Sequence, residues 1–454
     1  MLKHKLIATL GGGMLLFSSP ALAATLDSLQ KDIDELNDRL DANELAATLN
    51  KVKFGLDFNT SVNNITSKNH DTGAKSNFNN RWMMGLYLNM NADINSYTKF
   101  TGRLSMTKAF GDLEWMNPTN YIGSLDAGRG VGGGAALYVE RAYVDLYMGQ
   151  YAALTVGRLP GTDGPGSNLR NGSARMSTYP ALAVNALGDG VVLTLKPYTD
   201  AALRAGYSKI YQPFYAGGNS GAGSIFTNAG ATEASDANLF FGAFETPFLP
   251  SSFGKNLFML TYINVQDYTI PGSSIATIAS NANTGVVRAA SQNAGNMQYI
   301  NVHFENDKML GTGLNWFLSY SFYKGSGAEN IVDYNTSNTA VQLGKMFANE
   351  DAWAVHAGLR YDLSPYFKLG YEYFKGSKNW YAFSRVSIND PFNFRNTRGS
   401  VHDIYAIWQL DINQFFRLSY TRQHQDYATP LIPSAATKAN ITNQNVALAY
   451  IVRF

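Results

Sequence analysis

From Val52 onward, apolar and polar residues alternate with a period of two. Over 52–63 the apolar set is Val52, Phe54, Leu56, Phe58 and Val62, interleaved with Lys53, Asp57, Asn59 and Ser61. The series Trp82 to Met90, Leu314 to Phe322 and Trp353 to Tyr361 repeat the pattern. Successive side chains of a strand point to opposite faces, so each run is a strand with one apolar and one polar face. Sixteen such runs begin near Val52, Trp82, Thr98, Leu137, Ala152, Asp189, Ala201, Asn238, Asn256, Met297, Thr312, Ala352, Phe367, Val401, Phe415 and Asn443. Short connections near Asn95, Gln150, Thr199, Pro250, Lys308, Ser364 and Asn413 alternate with longer Gly-, Asn- and Ser-rich ones near His70, Leu125, Arg170, Gly221, Ala282, Asn338, Asn389 and Ala435. That asymmetry, with a lipid-compatible face on every strand, predicts an all-β fold: a transmembrane antiparallel β-barrel of about sixteen strands, with roughly fourteen or eighteen as the neighbouring counts. A secreted β-sandwich would also alternate, but one of its faces would be a dry core, and here that face is polar too often.

Ahead of the strands the period is longer. Leu26, Leu29, Ile33, Leu36 and Leu40 follow spacings of three and four, with acidic residues between them. This is the seam of a short α-helical coiled coil over 24–50, which would hold subunits together; the plainer alternative is one amphipathic helix packed on the barrel. Lys3, His4 and Lys5, an apolar stretch to Phe17, and Ala21-Leu22-Ala23 have the layout of a signal peptide over 1–23, leaving 51–454 as the barrel.

Composition agrees with this picture. Aromatics make up 13% and charged residues 15% of the 454, with 42 Gly and 27 Tyr, as aromatic girdles and strands require. Cys is absent, which excludes disulfides and thiolate metal sites, and a net charge of +2 gives no field for nucleic acid. The histidines beyond the leader, His70, His303, His356, His402 and His424, stand singly without metal-ligand spacing. No enzyme, metal or cofactor is expected.

The final run places Val446, Leu448, Tyr450, Val452 and Phe454 on one face. Tyr450, Val452 and Phe454 resemble the C-terminal signature that the barrel-assembly machinery reads. An even strand count puts both termini on the periplasmic side of a Gram-negative outer membrane, among its lipid and lipopolysaccharide. The segments Val156-Gly157-Arg158-Leu159-Pro160-Gly161-Thr162-Asp163-Gly164-Pro165, Gly376-Ser377-Lys378-Asn379-Trp380 and Glu140-Arg141-Ala142-Tyr143-Val144-Asp145 resemble those of a functionally uncharacterised family of proteobacterial outer-membrane proteins, in which a coiled coil precedes a porin-like barrel. The resemblance implies a channel, without naming a solute.

A barrel of this width leaves an aqueous pore unless something fills it. The third long connection, Pro160 to Gly188, is the first candidate for a constriction, through Asp163, Arg170, Arg175 and Tyr179; the connection Ala109 to Ala136 is the competitor, and the plainer alternative is that both merely roof the barrel. Strand phase puts Lys53, Lys99, Arg103, Arg141, Lys196, Arg204, Arg360, Lys368, Arg417 and Arg453 on the lumen face, against Asp57, Asp145, Glu305, Glu372 and Asp403. The excess of cations predicts a weakly anion-selective porin for small hydrophilic solutes, unless these groups pair across strands. The reading includes a homotrimer. The alternative is a structural protein that tethers the membrane to the cell wall, or an adhesin.

Overall fold

A computed structural model describes residues 34, 37, 52–110, 137–211, 236–270, 292–327, 331–334, 340–344, 351–384, 386–430 and 436–454. The chain divides into two compact units, Met1–Lys53 and Phe54–Phe454. In the helical region of the first, Asp34 and Asn37 are described, both helical. The signal-peptide segment and the seam residues Leu26, Leu29, Ile33, Leu36 and Leu40 lie outside the described residues, as does the competing loop from 111 to 136.

The second unit is a closed antiparallel barrel. Its strands are β1 (Val52–Asn69), β2 (Lys75–Asn95), β3 (Thr98–Ala109), β4 (Tyr138–Met148), β5 (Ala152–Leu159), β6 (Gly188–Tyr198), β7 (Ala201–Tyr211), β8 (Ala237–Thr246), β9 (Lys255–Ile270), β10 (Gln292–Asp307), β11 (Leu314–Gly327), β14 (Ala352–Asp362), β15 (Phe367–Gly376), β16 (Arg398–Gln409), β17 (Gln414–Tyr427) and β18 (Lys438–Arg453). A separate hairpin, β12 (Ile331–Tyr334) and β13 (Ala340–Gly344), forms within the connection from β11 to β14. Sixteen strands pair in sequence and β1 pairs with β18, so the sheet has no free edge. The expected count holds.

The alternation reads out as two faces. On β11, Asn315, Phe317, Ser319, Ser321 and Tyr323 are buried toward the lumen, while Leu318 and Tyr320 are exposed on the outside. On β18 the outward series is Val446, Leu448, Tyr450, Val452, and Asn445, Ala449 and Ile451 are buried inside. Phe454 ends the chain on the same outer side, with its N–H donating to the Leu56 carbonyl at 2.9 Å and its carbonyl accepting from Leu56 at 2.6 Å. The terminal residue thus helps to close the barrel on β1.

Two expectations need correction. The connection at His70 is a tight turn, because β1 and β2 run 18 and 21 residues and meet at 70–74. The run assigned to Trp82 therefore starts at Lys75, where Asn and Ser mask the alternation. Strict phase also fails on β4. A register shift between Arg103 and Leu104 makes Glu140 an extra residue opposite β3, and Glu140 and Arg141 both turn into the lumen and are buried.

Candidate functional site

The third loop, 160–187, leaves β5 and folds into the barrel. Thr162 and Pro165 to Arg170 are buried, while Ala174 and Arg175 are exposed. Its two limbs pass so closely that a Cβ on Gly161 would lie 2.0 Å from the Ala186 carbonyl oxygen, and one on Gly164 would lie 1.8 Å from that of Tyr179. Only glycine permits that approach. The motif Leu159-Pro160-Gly161-Thr162-Asp163-Gly164-Pro165 is therefore the hinge that turns the loop inward.

At the loop's far reach is a single helical turn, α1 (Asn168–Asn171), closed by Gly172 at φ +61°. The last carbonyls of a helix lack intrahelical donors and carry partial negative charge. Here three wall arginines supply donors in succession. Arg360 of β14 donates to the Leu169 carbonyl at 3.0 Å, Arg417 of β17 to that of Arg170 at 2.9 Å, and Arg453 of β18 to that of Asn171 at 3.1 Å. Arg170 itself reaches outward to the wall: its Nε donates to Asp403 Oδ2 at 2.7 Å, and Nη1 donates to the Asn389 carbonyl. Burial works to lower the Arg170 pKa, and Asp403 more than offsets this, so the group is held above its ordinary value.

The other side of the loop is gripped by β3 and β4. Arg141 donates to the Met176 carbonyl at 2.8 Å and to the Thr162 carbonyl and hydroxyl at 3.1 and 3.0 Å. Arg103 bonds Asp57 at 3.1 Å, lies 3.6 Å from Glu140, and covers the Tyr87 ring. Tyr179 packs edge-on against Phe241 with centroids 4.9 Å apart. Arg204 binds Glu245 at 2.9 Å, with Arg175 3.8 Å from the same carboxylate. Asn168 donates to Glu305 at 2.9 Å, His303 lies 3.4 Å from that carboxylate, and His356 bonds Glu372 at 3.0 Å.

A second inward loop was not anticipated. The seventh connection, 377–397, buries Trp380, Tyr381, Ala382, Ile388 and Phe394. Trp380, Tyr381, Ala382 and Phe394, together with Leu182 and Ala183 of the third loop, pack on the lumen faces of Ile263, Val265, Met297, Tyr299, Tyr323 and Phe374. The loops are also tied to each other: Asn185 N–H donates to the Phe383 carbonyl at 2.8 Å, and Arg395 donates to the Gly166 carbonyl at 3.1 Å. Asn389 accepts from Asn59 of β1 at 2.7 Å and from Arg417 at 3.0 Å. Burial raises the Asp390 carboxyl above its ordinary value against the pull of Arg395 and Arg170, while burial lowers the Arg395 guanidinium. The signal for this loop was available in its sequence, since Trp380, Tyr381, Phe383, Ile388, Phe392 and Phe394 crowd large apolar side chains into what would otherwise be a solvated connection.

The residues expected from strand phase and from the third loop thus fall largely into two clusters. Arg103, Asp57 and Arg141 form one cluster, and Arg170, Arg360, Arg417 and Asp403 a second, both bound to loop backbone. Asp145 is engaged by Thr155 at 2.5 Å, and Lys53 is exposed. Glu140, Glu245 and Asp362 join the acidic side of the lumen, so the cationic excess is smaller than the phase count implied. Below α1, at the short-turn end, lies a cavity of about 860 Å³. Lys255, Lys308, Lys368 and Arg360 line it with Asp307 and Asp362, and Asp362 is paired to Arg360 at 2.7 Å. Among the described residues no group of three or more His, Cys, Asp or Glu side chains is arranged to hold a metal.

A family model described as "Protein of unknown function (DUF3373)" matches residues 75–443. No curated protein matches the chain. Among solved structures, in-vitro folded OmpT, an outer membrane protein of Vibrio cholerae, aligns at 12% identity and TM-score 0.42, over 87% of this chain and 97% of that one. Salmonella typhi OmpF in complex with daunomycin aligns at 10% identity and TM-score 0.48, over 88% and 98%.

Proposed function

We infer the role of this chain, which belongs to the DUF3373 family of proteins of unknown function, from its own geometry, and propose that it is an outer-membrane porin admitting small hydrophilic solutes by passive diffusion. The observation that carries the reading is the closed sixteen-strand barrel with an apolar outer face and a lumen lined by Asn, Ser, Thr and charged groups. A sheet closed on itself satisfies every backbone group in lipid, and polar side chains inside it tolerate only water or protein. The inward loops narrow the path, so the solute is small.

Weak anion preference is part of the proposal. The cavity below α1 presents Lys255, Lys308, Lys368 and Arg360 against two aspartates, and a net positive mouth favours anions. The reading also includes no catalytic role, both termini in the periplasm, insertion by the barrel-assembly machinery through Tyr450, Val452 and Phe454, cell-wall contact by the coiled coil, and assembly as a homotrimer. The trimer has support in the wall itself. Strands β11 and β14 to β17 carry Trp316, Tyr320, Trp353, Tyr371, Trp408 and Phe416 outward, as lipid interfaces favour. Across the middle of β3 to β6 the outward positions are Leu104, Val144, Leu146, Leu154, Val156, Val191 and Leu193, with Phe100 toward one end and Lys108 and the Arg158–Asp189 pair toward the other. An aliphatic centre on this face suits contact with another copy.

Purified protein in a planar bilayer is expected to give discrete conductance steps, with a reversal potential in a salt gradient that favours anions. Absence of any steps would overturn the channel; cation preference would overturn the selectivity alone.

A further inference from the structure

The outward face changes character along β15 to β18 and β1. On β17 the sequence runs Phe416, Leu418, Tyr420 and then Arg422 and His424; on β16 it runs Trp408, Ala406, Ile404 and then His402. On β18, Val446 gives way to Gln444 and Thr442, and on β1, Val62 gives way to Asn64, Thr66 and Lys68. The apolar band therefore ends on all these strands at one level, toward the long loops.

Register brings the first polar residues beyond it together. His402 is directly opposite Arg422, Ser400 pairs with both Lys375 and His424, and Thr442 pairs with both His424 and Lys68. His70 Nε2 lies 2.9 Å from the Thr442 hydroxyl, and its ring meets that of His424 edge-on. The Tyr371 hydroxyl bonds His402 Nδ1 at 2.7 Å, which orients that ring above the aromatic belt. Asp426 faces the cluster too, bonded to Lys375 at 3.0 Å and 3.3 Å from His424. Arg422 is exposed and has no ion-pair partner among the described residues. Three permanent cations, Lys68, Lys375 and Arg422, thus stand with three imidazoles against Asp426, and against Asp71, which is bonded to Asn440 at 2.6 Å. Positions that are scattered singly in the sequence become one patch on the wall.

We propose that this patch, centred on Arg422, binds the phosphate groups of a phosphorylated glycolipid in the outer leaflet. The claim rests on the membrane-spanning reading above, and it names a specific lipid contact. The level is the argument: a cation at the edge of the apolar band meets the headgroup, with its phosphates, while Tyr420, Tyr371 and Ile404 lie against the acyl chains. A planar guanidinium matches a phosphate bidentately, and the neighbouring lysines add point charge. A protein partner would need an apolar complement, which this row of Ser, Thr, Gln, His and Arg does not offer.

The test uses the full chain folded in mild detergent, with detergent-dispersed diphosphorylated glycolipid, its dephosphorylated form, and inorganic phosphate as separate probes. The diphosphorylated lipid should bind and raise the thermal midpoint, and the other two should not. Arg422→Glu should weaken binding about tenfold or more, as loss of a charge-assisted bond implies. Arg422→Lys should retain most of it. Lys108→Glu, which changes an outward cation on β3, should bind like wild type. Heat-dependent electrophoretic mobility verifies that each variant barrel is folded. Equal binding of the dephosphorylated lipid, an equal response to inorganic phosphate, or unimpaired binding by folded Arg422→Glu would each overturn the proposal. Conductance is read on the same samples: a protein that binds lipid but passes no ions would overturn the porin and leave this site standing.

Discussion

The Arg170–Asp403 contact is the sharpest test of how the third loop is held. Both side chains are almost fully buried, at 7% and 1% side-chain exposure, and the bond is 2.7 Å long. Arg170→Ala removes the cation and leaves Asp403 with the Thr421 hydroxyl, which donates at 2.5 Å, as its remaining recorded partner. Breaking a buried pair from one side costs about 3–5 kcal/mol, because the surviving charge is uncompensated. The same substitution removes the hydrogen bond to the Asn389 carbonyl, so the seam between the two inward loops loosens as well. The wall pairing is untouched, and the barrel should still close. We therefore expect a lower thermal midpoint and a larger single-channel conductance than in wild type. Arg170→Ala combined with Asp403→Ala should cost less than the sum of the single changes, with a coupling of about 1.5–3 kcal/mol for a charge-assisted bond. A folded Arg170→Ala variant with unchanged conductance and midpoint, or strict additivity in the double variant, would refute the reasoning.

Trp380→Ala should remove a fully buried ring from the lumen cluster, lower the midpoint by the equivalent of about 3–5 kcal/mol, and expose 377–397 to protease in the folded barrel. Gly157→Ala should impair barrel formation outright, since φ is +130° and a Cβ would lie 2.3 Å from the Ala142 carbonyl oxygen; a normal yield of heat-modifiable protein would contradict this. Asp390 titrates above its ordinary 3.8 when the loop is docked, so the docked state binds the extra proton. Its contribution is fully present below pH 3.8 and is lost as pH rises through the docked value. Protease cleavage of the seventh loop should accordingly increase as pH rises through that window, and Asp390→Asn should flatten the profile.

The strand half of this molecule was legible because a barrel wall obeys one rule at every position. Phase alone assigned the outward faces of β11, β14 and β18 and the inward placement of Arg103, Arg360 and Arg417. A closed barrel of sixteen strands was therefore within reach of sequence, and so was an inward-folded 160–188. Glu140 was not, because a bulge adds one residue and phase counting has no term for it. The fate of the arginines was also hidden. Lumen-facing guanidinium groups read alike whether they meet water or a carbonyl, and here Arg141, Arg360, Arg417 and Arg453 meet carbonyls of a loop that is distant in sequence. The seventh loop was hidden for a different reason: its Asn and Ser content reads as solvent-exposed connection, while its aromatics interrupt the polar run without any period.

The three arginines that hold α1 come from β14, β17 and β18, the last of them one residue from the end of the chain. The loop they hold departs from β5. Its seat therefore does not exist until the final strand has joined the first, so seating of the loop reports a finished wall. A barrel that stalls with β18 unpaired has an unanchored third loop, an exposed run of glycines and serines open to proteolysis. Completion of the barrel wall and narrowing of the lumen inside it are in this way a single event.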